Sequence, residues 1–168
     1  DQPRSRGLGD VYKRQDPHPT EGKDALVAPE QIKRHILCVG QAYYALLNYR
    51  REHEINDVAI SRIEEISPLD YQAIVAALDK YPNSDLMFAQ EEPINAGSWL
   101  YLEPRLSMTC DQTEHHKGQS FQLASRPPTS SVATGHKGAH VASLNGYLSG
   151  AFDMESSSNN EYHSVDVY

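Results

Sequence analysis

The stretch "AQEEPINAGSW" (Ala89–Trp99) sets two adjacent carboxylates, Glu91 and Glu92, behind Gln90 and ahead of Asn95, Gly97 and Trp99. A carboxyl group can do general acid–base work when a cleft shifts its pKa. Immediate neighbours, however, do not face each other across a substrate as a hydrolase pair does. A structural reading puts the pair at a strand-to-helix junction, where free N–H groups and the helix dipole favour negative charge by about 0.3–1 kcal/mol. An arginine can also form a bidentate pair with one of them, and Arg105 and Arg126 are the candidates. The weight falls on structural or interface roles for Gln90, Glu91, Glu92, Asn95, Gly97, Trp99, Arg105 and Arg126. None is expected to move protons in catalysis.

Other chemistry is sparse. His136 and His140 are spaced i, i+4, which can put two zinc ligands on one helix face. No Glu occupies the HExxH position and Gly138 weakens a helix there, so a solvated or partner-facing pair fits better. His115-His116 lies in a polar stretch and carries less weight. Of the two cysteines, Cys38 sits in an apolar run and reads as a buried thiol. With Cys110 far away, the pattern does not match a disulfide scaffold, and a reducing compartment follows. No GxGxxG, P-loop, GxSxG or CxxC motif stands in a usable context. The chain holds no self-contained catalytic, cofactor or metal set.

Alternating strands and helices must position these residues. "HILCVG" (His35–Gly40) reads as a buried parallel strand. "QAYYALLNYRREHE" reads as an amphipathic helix carrying Tyr43, Leu46 and Leu47. Asp57–Ile66 reads as a second strand. A helix follows, with Ser67 as cap, Pro68 at its first position and Asp70 in its positive first turn. Its apolar stripe is Tyr71, Ile74, Val75 and Leu78, and Pro82-Asn83 ends it. Asp85–Gln90 is a third strand. Asn95 opens a third helix with Trp99, Leu102 and Leu106, which Pro104 must kink or end. A further strand near Phe121–Ala124 and a last helix over roughly Gly138 to Ala151 complete the pattern. The implied class is α/β, a three-layer sandwich with a mostly parallel sheet. Ligands or partners favour the carboxyl edge of such a sheet. Gly40-Gln41, Ile66-Ser67 and Gln90-Glu91-Glu92 all fall on it.

At 168 residues the chain suits one domain. The expected boundaries are a leader over 1–25, the α/β domain over 26–153 and a disordered tail over 154–168. The leader is charged and without apolar periodicity, and its "SRGLGDVYKRQ" resembles translated adapter sequence. A net charge of −8 speaks against nucleic acid and anionic membranes as partners. No apolar run approaches the roughly 20 residues of a membrane span.

Taken together, the motifs resemble a known family. "QEEPINAGSW" followed by "EPRL" resembles the C-terminal domain of the E1 component of 2-oxoglutarate dehydrogenase, a thiamine diphosphate-dependent, transketolase-like family. The family pattern is Q-E-E-P-x-N-x-G-A-W and then P-R-L. It is matched by Gln90, Glu91, Glu92, Pro93, Asn95, Gly97, Trp99, Pro104, Arg105 and Leu106. "KRHILCVGQAYYALLNYR", "DVAISRIEEISPLDY" and "SRPPTSSVATGHKGAH" resemble three further family segments. Order and spacing agree from about Lys33 to Phe152.

The resemblance implies a transketolase-type C-terminal domain within an E1 enzyme. Such an enzyme decarboxylates 2-oxoglutarate and transfers succinyl to the lipoyl group of an E2 partner. It implies a homodimer of much longer chains, in the mitochondrial matrix of a eukaryote or the cytoplasm of a bacterium. Thiamine diphosphate, its Mg²⁺ and the catalytic histidines belong in this family to upstream domains. The fragment alone is therefore expected to be inactive, with its domain serving subunit packing and possible regulation. Departures from the pattern are Val39 and Gln41 in place of Ser and Lys, Ser125 in place of Gly, and Val132 in place of Pro. Two alternatives stand beside this reading. One is a stand-alone interaction or nucleotide-sensing module without catalysis. The other is the same domain of a 2-oxoadipate dehydrogenase E1.

Overall fold

A computed structural model describes residues 27–130 and 137–154. The expected leader falls outside these residues, as does all but the first residue of the expected tail. After a 3-10 turn at Pro29–Gln31 come β1 (Arg34–Val39), α1 (Ala42–Glu52), β2 (Val58–Ile63), α2 (Tyr71–Asp79), β3 (Asp85–Pro93), α3 (Trp99–Cys110), β4 (Gln122–Arg126) and α4 (Lys137–Phe152). The four strands form one parallel sheet in the order β2-β1-β3-β4.

Strand pleating explains the layers. Successive side chains of a strand point to opposite faces, and β1 is apolar on both. Ile36 and Cys38 join Leu46 of α1 and Leu148, Ala151 and Phe152 of α4 in one core. Leu37 joins Ile74 and Leu78 of α2 and Trp99, Leu102 and Leu106 of α3 in the other. Two helices therefore cover each face, which is the expected three-layer α/β sandwich. The helix after β1 and the helix after β3 lie on opposite faces. The carboxyl ends of these adjacent strands thus flank the switch point of the sheet, where a crevice opens in such folds.

Several boundaries differ from the sequence reading. β2 stops at Ile63, three residues short of Ile66, because its partner β1 ends opposite at Val39. Asp70 rather than Ser67 caps α2, its carboxylate accepting from the Ala73 N–H at 3.0 Å. Ser67 and Pro68 sit before the helix in a turn closed by an Ile66–Leu69 bridge, so Pro68 is not its first residue. β3 runs on through Glu91, Glu92 and Pro93, since β4 pairs with it as far as Arg126. α3 starts at Trp99, not Asn95, and passes through Pro104 without ending. Side chains bond its carbonyls around that proline: Arg105 Nη1 donates to Tyr101 O at 2.5 Å, and Thr109 Oγ1 to Arg105 O at 2.8 Å.

Two buried cationic-type residues at the start of β1 tie the layers together. Arg34 Nη1 donates to Ala151 O at 3.2 Å and Asp153 O at 2.6 Å. A guanidinium thus meets the carbonyls that the end of α4 leaves without helical donors. His35 points to the other face. Its Nε2 lies 2.8 Å from Ser61 Oγ, and its ring meets Tyr81 edge-on at 4.8 Å. Burial, followed by the nearby His116 and Lys80, pushes its pKa down to about 3.

The folded chain therefore refuses a proton at His35 that the unfolded chain accepts below about pH 6.5. The stability contributed by the neutral ring is complete above that pH and declines as pH falls toward 3. Between pH 7 and 5 the expected loss is about 1–2 kcal/mol, read from urea midpoints. His35→Gln can keep a hydrogen bond to Ser61 and should flatten that slope. An unchanged slope in the variant would place the titration at another group.

Candidate functional site

The QEEPxNxG segment sits where β3 leaves regular pairing. Ala89 stands opposite Ala124 of β4, and the next matched pair is Pro93 with Arg126. Gln90, Glu91 and Glu92 thus bulge opposite the single residue Ser125. Bulges bend a strand and re-aim its side chains. Here the result is a completely buried Gln90, a partly exposed Glu91 and an exposed Glu92.

Gln90 is the centre of the site. Its Nε2 lies 3.0 Å from Pro93 O, 2.9 Å from Ala96 O and 3.3 Å from Glu92 O. With two protons to donate, it satisfies the two nearer carbonyls most directly. Its Oε1 accepts from the Trp99 N–H at 3.0 Å. That N–H is one of the first-turn donors a helix leaves open. Ser98, the residue at the cap position of α3, makes no capping bond with its side chain. A glutamine from the preceding strand fills that need instead.

Gly97 makes the packing possible. Its φ is +74°, and a Cβ there would come within 2.9 Å of both Gln90 Oε1 and Glu92 Cβ. Asn95 then fastens the turn to the segment after β4. Its Nδ2 donates to Thr129 O at 2.8 Å, and its Oδ1 accepts from the Thr129 N–H at 3.1 Å. The Ile94 N–H adds a bond to Arg126 O at 3.1 Å. Trp99 stacks near Phe88, ring centres 5.4 Å apart, and is only 9% exposed.

The carboxylates divide. Arg126 Nη2 donates to Glu91 Oε1 at 2.7 Å, while Glu92 faces outward. Arg105 takes no part in that pair. Its guanidinium lies 3.7 Å from the centre of the Tyr101 ring on the outer side of α3. The helix-dipole reading of Glu91 and Glu92 also needs correction. α3 begins at Trp99 and holds no acidic residue in its first turn. The pair lies in the strand, and Gln90 meets the helix start. Tyr147 of α4, not singled out in the sequence, is buried with its pKa raised to about 12, by burial first and then by the charge of Glu91. Its spacing of three residues from Leu144 marks it only as one more apolar position.

One histidine reading changes. His116 is fully buried, with Nε2 3.1 Å from Leu78 O and Nδ1 3.2 Å from Gln119 Oε1, so it is a core residue rather than part of a polar surface. His136 and the side chain of His140 lie outside the described residues. Cys38 and Cys110 are free and buried. Among the described residues, no group of three His, Cys, Asp or Glu side chains could hold a metal ion. Glu91, the partly exposed carboxylate of the motif, is engaged by Arg126. These residues do not fit thiamine diphosphate with its Mg²⁺. A groove of about 340 Å³ opens near the ends of β1 and β2, lined in part by Leu37, Ile63, Pro68 and Ile74. Its basic residue, Arg62, bonds Glu64 at 2.6 Å and stacks on Tyr43 and Tyr44, which opposes capture of a phosphate. No helix of the described residues is long and apolar enough to cross a membrane.

Gln90→Ala would leave a buried N–H and two carbonyls without their partner. Each unmet buried group costs about 1–3 kcal/mol, so a loss of roughly 2–4 kcal/mol is expected in chemical denaturation. Glu92→Ala should stay within about 0.5 kcal/mol. Equal losses in the two variants would contradict the division of roles within the motif.

The chain matches the model of the family described as 2-oxoglutarate dehydrogenase C-terminal over residues 12–152. It is 37% identical over 130 residues to the mitochondrial 2-oxoglutarate dehydrogenase of Schizosaccharomyces pombe, covering 76% of this chain and 12% of that protein. The mitochondrial 2-oxoglutarate dehydrogenase of Saccharomyces cerevisiae is 36% identical over 128 residues, with 74% and 12% covered. The 2-oxoglutarate dehydrogenase E1 component of Cupriavidus necator is 35% identical over 123 residues, with 73% and 12% covered. The chain thus spans about 12% of the length of each of these relatives. With a family match across most of its residues, it belongs to the 2-oxoglutarate dehydrogenase C-terminal family.

Proposed function

We propose that this chain acts as an assembly domain within the E1 component of a 2-oxoglutarate dehydrogenase complex. In this reading the parent E1 is a homodimeric oxidoreductase of the tricarboxylic acid cycle. It decarboxylates 2-oxoglutarate and passes the succinyl group to the lipoyl arm of E2. Thiamine diphosphate supplies the electron sink for that chemistry, bound with Mg²⁺ by parts of E1 outside this segment. The domain, over residues 26–153, contributes shape and contact surface. A eukaryotic parent would work in the mitochondrial matrix and a bacterial one in the cytoplasm.

The observation that carries this reading is the use to which the motif is put. Its polar atoms are largely spent on the chain itself: Gln90 on the start of α3, Asn95 on Thr129 and Glu91 on Arg126. A catalytic carboxyl would instead need a cleft and a substrate within hydrogen-bond reach. The family match and relatives named for 2-oxoglutarate favour that substrate over 2-oxoadipate.

Two measurements test the reading. The chain alone, titrated with thiamine diphosphate and Mg²⁺ in a calorimeter, should give no binding heat. Placed in the Schizosaccharomyces pombe enzyme instead of the matching segment, residues 27–153 should preserve 2-oxoglutarate decarboxylation. Micromolar cofactor binding by the isolated chain, or a folded but inactive chimera, would contradict it.

A further inference from the structure

α3 is apolar on two sides. Trp99, Leu102, Leu106 and Cys110 face the core. On the outside, Leu100 is 67% exposed, Met108 62% and Tyr101 39%. Leu100, Pro104 and Met108 are spaced i, i+4, i+8 and so form one ridge. Tyr101 and Arg105, the latter stacked on the former at 3.7 Å, form the row beside it. The ridge is thus a second apolar strip on α3, separated from the core face by Glu103 and Ser107. The remaining exposed large apolar residues among those described, Ile66 and Tyr71, precede and begin α2. They therefore belong to the same side of the sheet as α3. The helices of the other face, α1 and α4, present no large exposed apolar residue in the described set.

We propose that this outer ridge of α3 docks on the remaining polypeptide of E1, the part that lies outside the matched segment in the relatives. The inference rests on the family reading above and gives the assembly role a surface. Two observations select this occupant. The relatives extend far beyond the 12% of their length that the chain matches, so a large covalent neighbour is part of the family architecture. The ridge is also small. Five side chains cover on the order of a few hundred Å², less than the roughly 800 Å² per partner of a stable standard interface. It is too small to hold two copies of this chain together, but sufficient for a domain whose tether already holds it at high effective concentration. Its composition suits a contact as well. Tyr and Arg are the side chains that interface centres favour, and Met108 adapts its shape to an opposing surface.

The test compares the free chain with the Schizosaccharomyces pombe chimera carrying residues 27–153. Leu100→Lys with Met108→Lys should leave the melting temperature of the free chain unchanged, because both side chains already face water. In the chimera the same pair should lower the yield of assembled, active E1 at least tenfold. Glu52→Lys on α1 of the opposite face should not. A photo-crosslinking residue at position 108 of the chimera should couple to E1 polypeptide outside the inserted segment. Normal assembly of the double variant would overturn the proposal. So would destabilisation of the free chain, which would make the ridge part of the core. A free chain that sediments as a dimer, and becomes monomeric in the double variant, would overturn it in favour of self-association. Failure of the unmodified chimera to assemble would reject the assembly role proposed above and this inference with it.

Discussion

The buried amide of Gln90 is the constraint on which the carboxyl edge of this sheet depends. A buried amide must meet its hydrogen-bonding needs inside the protein or lose about 1–3 kcal/mol for each group left alone. Gln90 meets them by holding Pro93 O and Ala96 O with its nitrogen and the Trp99 N–H with its oxygen. These contacts fix the path from β3 into α3. They require Gly97 beside them, because a side chain would occupy the space of the amide. Once α3 starts at Trp99, its indole reaches Phe88, and Leu102 and Leu106 follow into the core at helical spacing.

The same bulge links the ends of β3 and β4. Glu91 reaches Arg126 on β4, and Asn95 holds Thr129 just beyond it. At the opposite end of β1, Arg34 clasps the last carbonyls of α4. The last helix is thereby connected to the sheet by buried polar bonds as well as apolar packing. Such a frame braces the edge where an α/β fold commonly meets its partners. It leaves α3 held firmly from within while its outer ridge remains free for contact.

Much of this frame is legible in the residues themselves. The apolar run ending at Gly40, the stripe through Ile74 and Leu78, and the run before Gln90 specify the strand–helix alternation and hence a parallel sheet. The motif resemblance points to the same family as the comparisons with known proteins. What local sequence does not carry is set by distant partners. β2 ends early because β1 runs out, and β3 runs long because β4 continues beside it. Ser67 and Asp70 both satisfy the rule for a helix cap, and only the folded turn selects Asp70. Asn95 looks like a helix start by residue type, yet its amide is committed to Thr129 across the sheet. Arg105 and Arg126 are equivalent candidates for Glu91 until the strand register brings Arg126 alongside. Tyr147 does not stand out because a phenol among leucines reads as one more core residue.

The most direct test of the central claim is amide hydrogen exchange at Trp99. An ordinary first-turn N–H has no helical acceptor and exchanges quickly, whereas this one donates to a buried side chain. Strong protection in the unmodified chain, lost in Gln90→Met while the β1 amides stay protected, is the predicted result. Rapid exchange at Trp99 in the unmodified chain, or protection that survives the substitution, would contradict the role assigned to Gln90.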